Sequence, residues 1–191
     1  MPSPAGRMLR HASSKGLEGK RARTARAFRK KWDRVLPLDE MLLDRWKKAK
    51  QLGFGEGSSV YEHVLVYGKP RVGKNVWIGA FALIDAIGGL EIGDGCDISV
   101  GVKILTHSTH LRCVSERKQD TVRKPVKIGR CTFIGTNAVI LPGVKIGDHC
   151  VIGAGAVVTG DIPPRSVASG VPARVVGRVV LGSRGVSVSY K

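Results

Sequence analysis

A valine or isoleucine stands at every sixth position over most of this chain, with two interruptions. The positions are Val60, Val66, Val72, Ile78, Ile84, Ile92, Ile98, Ile104, Ile128, Ile134, Ile140, Ile146, Ile152 and Val158. A period of six matches neither the 3.6-residue turn of an α-helix nor the two-residue alternation of a flat strand. It indicates a chain that forms a short strand, turns a corner and repeats. Three such faces close one triangular coil of about 18 residues, which predicts an all-β solenoid.

Small residues occupy two further positions of the repeat. Glycine often follows the aliphatic residue, at Gly73, Gly79, Gly93, Gly129, Gly135, Gly147 and Gly153. The fourth residue after the aliphatic is small or β-branched, as at Val76, Ala82, Cys96, Val102, Thr132, Ala138, Val144, Cys150 and Ala156. We expect the aliphatic side chains to stack along the axis at about 4.8 Å, with the small residues filling the narrow interior. We expect the glycines to permit corner conformations that a Cβ forbids.

The two interruptions differ in size. The step from Ile84 to Ile92 is two residues too long and carries Gly88 and Gly89. The step from Ile104 to Ile128 contains an additional polar excursion over residues 108–125. Binding chemistry concentrates on loops that a rigid scaffold positions, so this excursion is the predicted substrate region.

The segments that flank the repeat differ from it in composition. Residues 1–37 are rich in Arg, Lys, Ser, Ala and Gly and are predicted to form a flexible basic arm. Residues 38–52 place apolar side chains at helical spacing, which predicts one amphipathic helix that covers the first coil. The solenoid should then extend over 53–164, where Pro163 and Pro164 end it, and 165–191 should form a C-terminal tail that covers the last coil and frays beyond residue 181.

Charge and cysteine usage limit the function classes. The chain carries 32 Lys and Arg against 15 Asp and Glu, and residues 1–50 alone hold 15 against 5. Such an arm could tether the protein to an anionic membrane surface; a solvated segment without a partner and a transit peptide are the alternatives. The arm lacks interleaved aromatic residues, so no nucleic-acid partner is expected.

Other signals favour a cytoplasmic protein, with a peripheral position at the inner face of the membrane as the alternative. We find no apolar run of about 18 residues and no secretory signal pattern. The four cysteines form neither a CxxC pair nor a zinc-site spacing, so reduced thiols and no metal are expected.

Three motifs make residues 38–178 resemble the hexapeptide-repeat acyltransferases, which fold as left-handed parallel β-helices. They are Ile104-Leu105-Thr106-His107, residues 146–164 with their Ile162-Pro163-Pro164 ending, and Gly170-Val171-Pro172-Ala173-Arg174. The likeness is greatest to sugar and polysaccharide O-acetyltransferases of the galactoside and maltose acetyltransferase type. The left-handed coiling is implied by this likeness and not by the periodicity.

The resemblance implies a homotrimer whose active sites lie between subunits and hold acetyl-CoA as co-substrate. It implies His107 as the catalytic base. The positions that match the family's acyl-CoA contacts are Thr136, Ala154, Thr159, Gly160, Arg174 and Arg178. Gly160 replaces a lysine that is common in relatives, and Gly177 replaces a second arginine, for which Arg178 could substitute.

The chemistry of the proposed transfer is consistent with a histidine base. A neutral imidazole, with an ordinary pKa of about 6.5, can remove the proton of a sugar hydroxyl as it attacks a thioester. We expect direct transfer in a ternary complex, with a backbone N–H near Gly135 or Thr136 stabilising the oxyanion. The repeat places Asp85 one coil from Leu105, where its carboxylate could orient His107 or bind the acceptor.

Several alternatives remain open from the sequence. His110 is a candidate substrate contact or, instead of His107, the base. Asp85 could also be an ordinary repeat residue without a role in the site. The principal function predicted is acetyl transfer to a hydroxyl of a sugar or polysaccharide precursor. Serine or other small-molecule acetylation, an amine or antibiotic acceptor, and a non-catalytic binding module are the competing hypotheses, although Ala86 stands where serine acetyltransferases carry a catalytic histidine.

Overall fold

The computed structural model describes residues 4–182 and 185–190, with side chains described from residue 16 onward except residue 17. The helices are α1 (Pro4–Trp32), α2 (Leu38–Leu42), α3 (Arg45–Gln51) and α4 (His110–Val114). The strands are β1 (Ser59–Val60), β2 (Leu65–Tyr67), β3 (Arg71–Val72), β4 (Trp77–Ile78), β5 (Leu83–Asp85), β6 (Leu90–Ile92), β7 (Asp97–Ile98), β8 (Lys103–Ile104), β9 (His107–Ser108), β10 (Val122–Arg123), β11 (Val126–Ile128), β12 (Phe133–Ile134), β13 (Val139–Ile140), β14 (Lys145–Ile146), β15 (Val151–Ile152), β16 (Val157–Val158), β17 (Ser166–Ser169), β18 (Arg174–Gly182) and β19 (Gly185–Tyr190).

The short strands form three parallel sheets, which we call faces 1, 2 and 3 in the order in which the chain visits them. Face 1 stacks β1, β4, β7, β12, β15 and β17. Face 2 stacks β2, β5, β8, β13 and β16, and face 3 stacks β3, β6, β11 and β14. Because consecutive strands lie on different faces and pair only with strands one coil away, the chain forms a parallel β-solenoid of about six coils. The predicted solenoid is confirmed.

The predicted core is also confirmed. Of the fourteen periodic aliphatic residues, only Val66 is not buried, and the nine small residues at the fourth position after them are all buried. Each aliphatic stacks on its counterpart one coil away, as the pairing of Ile98 with Ile134 and of Ile134 with Ile152 illustrates. Full burial of one such side chain contributes about 1.5–3 kcal/mol to folding. The stack of coils is therefore stabilised along its whole length.

The role predicted for the repeat glycines is wrong in its physical reason. The left-handed backbone conformation does not fall on the glycine after the aliphatic. It falls two positions later, where non-glycine residues such as Asn137 (φ 58°) also adopt it. Gly135 instead permits close approach between coils, since a Cβ there would lie 2.6 Å from the backbone nitrogen of Ala154.

Both interruptions of the repeat lie at the corner between faces 2 and 3, one coil apart. Gly88 and Gly89 lie between β5 and β6, and the excursion lies between β8 and β11. The backbone N–H of Val126 donates to Gly89 O (3.0 Å), and that of Lys124 donates to Thr106 O (2.9 Å). The excursion carries α4 and is closed at its neck by the antiparallel pair β9–β10. The two insertions therefore adjoin each other and alter the same corner.

The chain divides into a unit that ends at Asp44 and a unit that begins at Arg45. In the first unit, residues 4–32 form one helix, which was not predicted within the flexible basic arm of residues 1–37. Ala, Arg, Lys and Leu are favourable in helices, and beyond Pro4 no proline interrupts the segment. High charge and low hydrophobicity alone therefore did not reveal the helical propensity. Flexibility of the segment as a body stays a prediction.

The predicted single helix over 38–52 is instead two short helices. The chain becomes extended at Leu43 (φ −99°, ψ 147°), so α2 ends before α3 begins. In the second unit, α3 covers the first coil as expected. Ala49 is buried, and Lys48 Nζ donates to the carbonyl oxygens of Tyr61 (2.9 Å) and Glu62 (2.6 Å).

The C-terminal segment is more ordered than predicted. β17 continues face 1 in parallel with β15, so the solenoid extends past Pro164 to residue 169. β18 then pairs antiparallel with β17, and β19 pairs antiparallel with β18. β18 is rich in valine, and valine alternates with serine in β19, a composition that favours a hairpin over the predicted fraying. The tail covers the edge of face 1, as expected.

Candidate active site

Strand pairing on face 2 brings the two predicted catalytic residues to one corner. β5 pairs with β8 so that Ile84 lies beside Ile104. Asp85, the last residue of β5, therefore lies one coil away from residues 105–107, which follow β8. The two insertions lie at this same corner, so its backbone departs from the regular turn that the other corners make.

Asp85 is completely buried and is held by main-chain groups as well as by the imidazole. Its Oδ2 accepts hydrogen bonds from the backbone N–H of Thr106 (2.8 Å) and of His107 (3.1 Å). His107 Nδ1 lies 2.6 Å from the same oxygen. Oδ1 accepts from the backbone N–H of Ile87 (3.0 Å). These contacts leave little carboxylate surface for an acceptor, so the geometry favours the orienting role over a direct substrate contact.

The environment of Asp85 keeps its carboxyl group ionised. Burial acts to raise its pKa, but the hydrogen bonds from the backbone N–H groups of Ile87 and Thr106 and from the His107 ring outweigh burial and lower the pKa overall. An ionised carboxylate has no proton to donate. The proton in the contact with His107 therefore resides on Nδ1, which leaves the lone pair of Nε2 as an acceptor.

The residue before His107 is itself anchored. Thr106 is fully buried, and its Oγ1 accepts a hydrogen bond from the backbone N–H of Gly88 (2.8 Å). The His107 side chain itself is 29% exposed. An imidazole that is anchored at Nδ1 and open to its surroundings is suited to act as a base through Nε2. The anchoring role of Thr106 was missed, although it belongs to the motif that includes His107.

The alternative base, His110, occupies a different environment. It begins α4, is exposed, and its Nδ1 lies 2.8 Å from the hydroxyl of Ser108 rather than near a carboxylate. It is close in sequence to a cleft of about 450 Å³ in the excursion, lined by Thr109, Arg112, Cys113, Glu116 and Arg117. The position of His110 is consistent with a substrate contact.

The residues predicted to contact acetyl-CoA lie in three places on a single chain. Thr136 and Ala154 are exposed, one coil apart, at the corner between faces 1 and 2. Thr159 and Gly160 are exposed after β16, at the corner that also carries His107. Arg174 and Arg178 lie on β18 and are exposed. One chain therefore does not gather all six positions around the imidazole.

The predicted oxyanion donors differ in availability. The backbone N–H of Gly135 donates to Ile152 O (2.8 Å) within the stack of coils, so it is already used. The backbone N–H of Thr136 is the remaining candidate of the two. It lies at the opposite edge of face 2 from His107.

The remaining candidates for chemistry are the thiols. Cys96 and Cys150 are buried as predicted, and burial raises both pKa values, that of Cys96 to about 11. Cys113 and Cys131 are exposed. Among residues 4–182 and 185–190, no three His, Cys, Asp or Glu side chains are grouped as metal ligands. In that same part of the chain, no helix combines the length and apolar character needed to cross a membrane.

Family models match two stretches of the solenoid. Residues 71–105 match the hexapeptide repeat of succinyl-transferase, and residues 125–160 match bacterial transferase hexapeptide (six repeats). The chain is 40% identical to the galactoside O-acetyltransferase of Escherichia coli (strain K12) over 90 residues, which are 47% of this chain and 44% of that enzyme. The chain spans less than half the length of the curated relatives that it matches first.

Solved structures share the fold over most of the chain. A hexapeptide-repeat acetyltransferase from Vibrio cholerae superposes with a TM-score of 0.65 and 26% identity, over 85% of this chain and 92% of that one. A maltose O-acetyltransferase from Clostridium difficile 630 gives a TM-score of 0.53 and 29% identity, over 85% and 88% of the two chains. The predicted resemblance is confirmed by both the repeat sequence and the architecture.

Proposed function

We propose that this chain, whose repeats match two hexapeptide-repeat transferase models, is an acetyltransferase that acts on a hydroxyl group of a sugar or polysaccharide precursor. Acetyl-CoA is the proposed donor. The names of the similar enzymes, a galactoside and a maltose O-acetyltransferase, support this acceptor class. The observation that carries the proposal is the Asp85–His107 pair at the altered corner.

The mechanism follows from the protonation of this pair. Nε2 of His107 removes the proton of the acceptor hydroxyl while the oxygen attacks the thioester carbonyl. Asp85 holds the ring in the required tautomer and stabilises the imidazolium that forms. The tetrahedral intermediate then collapses with loss of the CoA thiolate, which the imidazolium protonates. Transfer is direct in a ternary complex, and no acyl-enzyme is invoked.

A homotrimer with the active site between subunits is part of the proposal. Four of the positions matched to donor contacts lie at the two edges of face 2, so a single chain leaves Thr136 and Ala154 away from His107. A neighbouring subunit that presents this corner to His107 would complete the groove. In that arrangement the backbone N–H of Thr136 stabilises the oxyanion. Light scattering should then give three times the chain mass of 20.5 kDa.

The decisive experiment measures thiol release from acetyl-CoA with a panel of sugars for wild type, His107→Ala and His149→Asn. We expect His107→Ala to lower kcat by about 10²–10⁴-fold, since a general base contributes that much. His149→Asn is the matched control, because it removes an imidazole at another corner and asparagine tolerates the left-handed φ of 56° there. Thiol release that is equal in all three proteins contradicts the assignment of His107.

The acceptor panel also tests the competing functions. Serine and simple amines belong in it, because the same imidazole could deprotonate an amine. Thiol release only with an amine overturns the hydroxyl acceptor but retains His107 as base. No thiol release with any acceptor favours a non-catalytic binding module.

Association with an anionic membrane surface is a separate part of the proposal. Helix α1 carries ten Lys and Arg and one Glu over residues 4–32. Such a helix is attracted to anionic headgroups by about 1 kcal/mol per basic residue near the surface. We expect cosedimentation with vesicles that contain phosphatidylserine, but not with neutral vesicles. Replacing Arg29, Lys30 and Lys31 by glutamine should weaken it, and equal binding to both vesicle types argues against the proposal.

A further inference from the structure

An arginine lies directly opposite the proposed base. β9 and β10 pair antiparallel at the neck of the excursion, and the register places Arg123 beside His107 and Val122 beside Ser108. The backbone N–H of Lys124 donates to Thr106 O (2.9 Å), which fixes this register next to the Asp85–His107 pair. Directly opposed residues of an antiparallel pair project their side chains to the same side of the ribbon, with Cβ atoms about 4.5–5.5 Å apart. The Arg123 side chain therefore starts close enough to His107 for its guanidinium to reach the imidazole.

The excursion around this pair is positively charged. Residues 108–125 hold five Lys and Arg against two Asp and Glu. Lys118 pairs with Glu116 (3.2 Å). Within the described residues, no ion pair or side-chain hydrogen bond engages the guanidinium of Arg112, Arg117 or Arg123. Arg112 and Arg117 line the cleft that begins at Thr109, two residues after His107.

The cations on face 3 provide a contrast. There Arg71 and Lys127 both contact the carboxylate of Glu91, so these two charges are compensated within the fold. Arg123 is exposed and has no such partner among the described residues. A structural role therefore explains Arg71 and Lys127, but it does not explain Arg123.

We infer that the acceptor carries an anionic group, a carboxylate or a phosphate, close to the hydroxyl that is acetylated, and that Arg123 binds it. The inference rests on the proposed function, because it assigns His107 as the base. A guanidinium binds carboxylate and phosphate oxygens through charge-assisted hydrogen bonds, which makes arginine well suited to this task. Arg112 and Arg117 extend the positive surface into the cleft, so an acceptor with a further anionic group would occupy it.

Thiol release kinetics with matched acceptors test the inference. Glucuronic acid and glucose 6-phosphate are the anionic acceptors, and glucose is the neutral acceptor. In the wild type we expect a lower KM for at least one anionic acceptor than for glucose. Arg123→Gln should raise the KM for that acceptor roughly tenfold or more, with kcat little changed, since one hydrogen bond to a charged group is lost. The KM for glucose should stay the same.

Lys74→Ala is the matched control, since Lys74 is an exposed cation at the corner between faces 3 and 1. It should leave every KM unchanged. If it raises the KM for the anionic acceptor as much as Arg123→Gln does, the effect reflects net charge and the inference fails. The acceptor whose KM rises in Arg123→Gln identifies the preferred group as a carboxylate or a phosphate.

A binding measurement separates failure of this inference from failure of the proposed function. Imidazole ¹H–¹⁵N spectra of the full chain, titrated with glucose 6-phosphate, glucuronic acid and glucose, report on ligands beside His107 whether or not turnover occurs. We expect the His107 signals to shift with an anionic sugar in wild type and less in Arg123→Gln at the same concentration. Equal shifts in both proteins overturn the inference. Shifts that depend on Arg123 in a protein without thiol release support it as a binding site and contradict only the transferase.

Discussion

The ring Nδ1 and the backbone N–H of His107 both point to a single oxygen of Asp85, at 2.6 and 3.1 Å. The side chain and the backbone of one residue are thus fixed by one buried carboxylate. Rotation of the imidazole would break a hydrogen bond to an ionised group, which is stronger than a bond between neutral groups. The orientation of Nε2 is therefore set before any substrate binds.

Substitution of Asp85 by asparagine should impair catalysis with little change in shape. If the amide nitrogen replaces Oδ2, it donates to Nδ1 and favours the tautomer in which Nε2 carries the proton, and it also meets the backbone N–H groups of Thr106 and His107. If it replaces Oδ1, the ring keeps its tautomer but loses the negative charge that stabilises the imidazolium. We expect kcat for thiol release to fall by about 10²–10⁴-fold, as in other histidine bases that lose their carboxylate. Asp94→Asn is the control, since the Asp94 carboxylate accepts the backbone N–H of Lys74 (2.7 Å) at another corner and contacts no imidazole. Unchanged kcat in Asp85→Asn would show that the carboxylate does not act through His107.

The stability of the protein should depend on the ionisation of Asp85. Its pKa is lowered in the folded state relative to about 3.9 in the unfolded chain, so the unfolded state binds more protons in the intervening range. The stabilisation is present above about pH 4 and is lost as the pH falls through the folded pKa. Urea unfolding at pH 6, 4 and 3 should show that the difference in unfolding free energy between wild type and Asp85→Asn narrows at low pH. A constant difference would contradict the lowered pKa.

Gly135 should be required for close stacking of its coil on the next one. Gly135→Ala places a Cβ 2.6 Å from Ala154 N, so neighbouring backbone must move, and we expect a loss of about 1–3 kcal/mol of unfolding free energy. Gly160→Ala is the matched control, because a Cβ there meets no atom within 4 Å and the φ is ordinary. Urea titration of both variants measures the difference. Equal stability would show that the coils do not approach as closely as described.

The four thiols should react in two classes. Cys113 and Cys131 are exposed, whereas burial of Cys96 and Cys150 raises their pKa values and blocks access. A disulfide reagent at pH 8 should modify two thiols per folded chain quickly and the other two only after unfolding in urea. Rapid modification of all four in the native protein would indicate that the interior of the solenoid opens readily.

The sequence sufficed for those features that a strict period determines. The period of six predicts which residues are buried, which faces stack and where the two insertions fall, because each coil repeats the same contacts. It also placed Asp85 one coil from Leu105, and so near His107. The side-chain bond itself depends on how the altered corner aims the carboxylate, which a period does not specify.

Segments outside the repeat were predicted less well. Composition predicted a flexible basic arm over residues 1–37 without a helix, whereas the local helix propensity of Ala, Arg and Lys gives helix α1. The residues proposed to contact the donor came from the resemblance. They lie apart in a single chain, because the corners at opposite edges of a sheet are separated by the width of that sheet. The sequence placed Arg123 only within the polar excursion of residues 108–125. Its position opposite His107 depends on the pairing of β9 with β10, which the period of six does not predict.

The excursion leaves the solenoid after β8 and returns at β11 without disturbing the stack on either side, since Ile104 still pairs with Ile140 and Ile92 with Ile128. An insertion of this kind can lengthen, shorten or change its charge while every coil keeps its neighbours. Changes within residues 108–125 can therefore alter the acceptor while the pairing of the coils is retained.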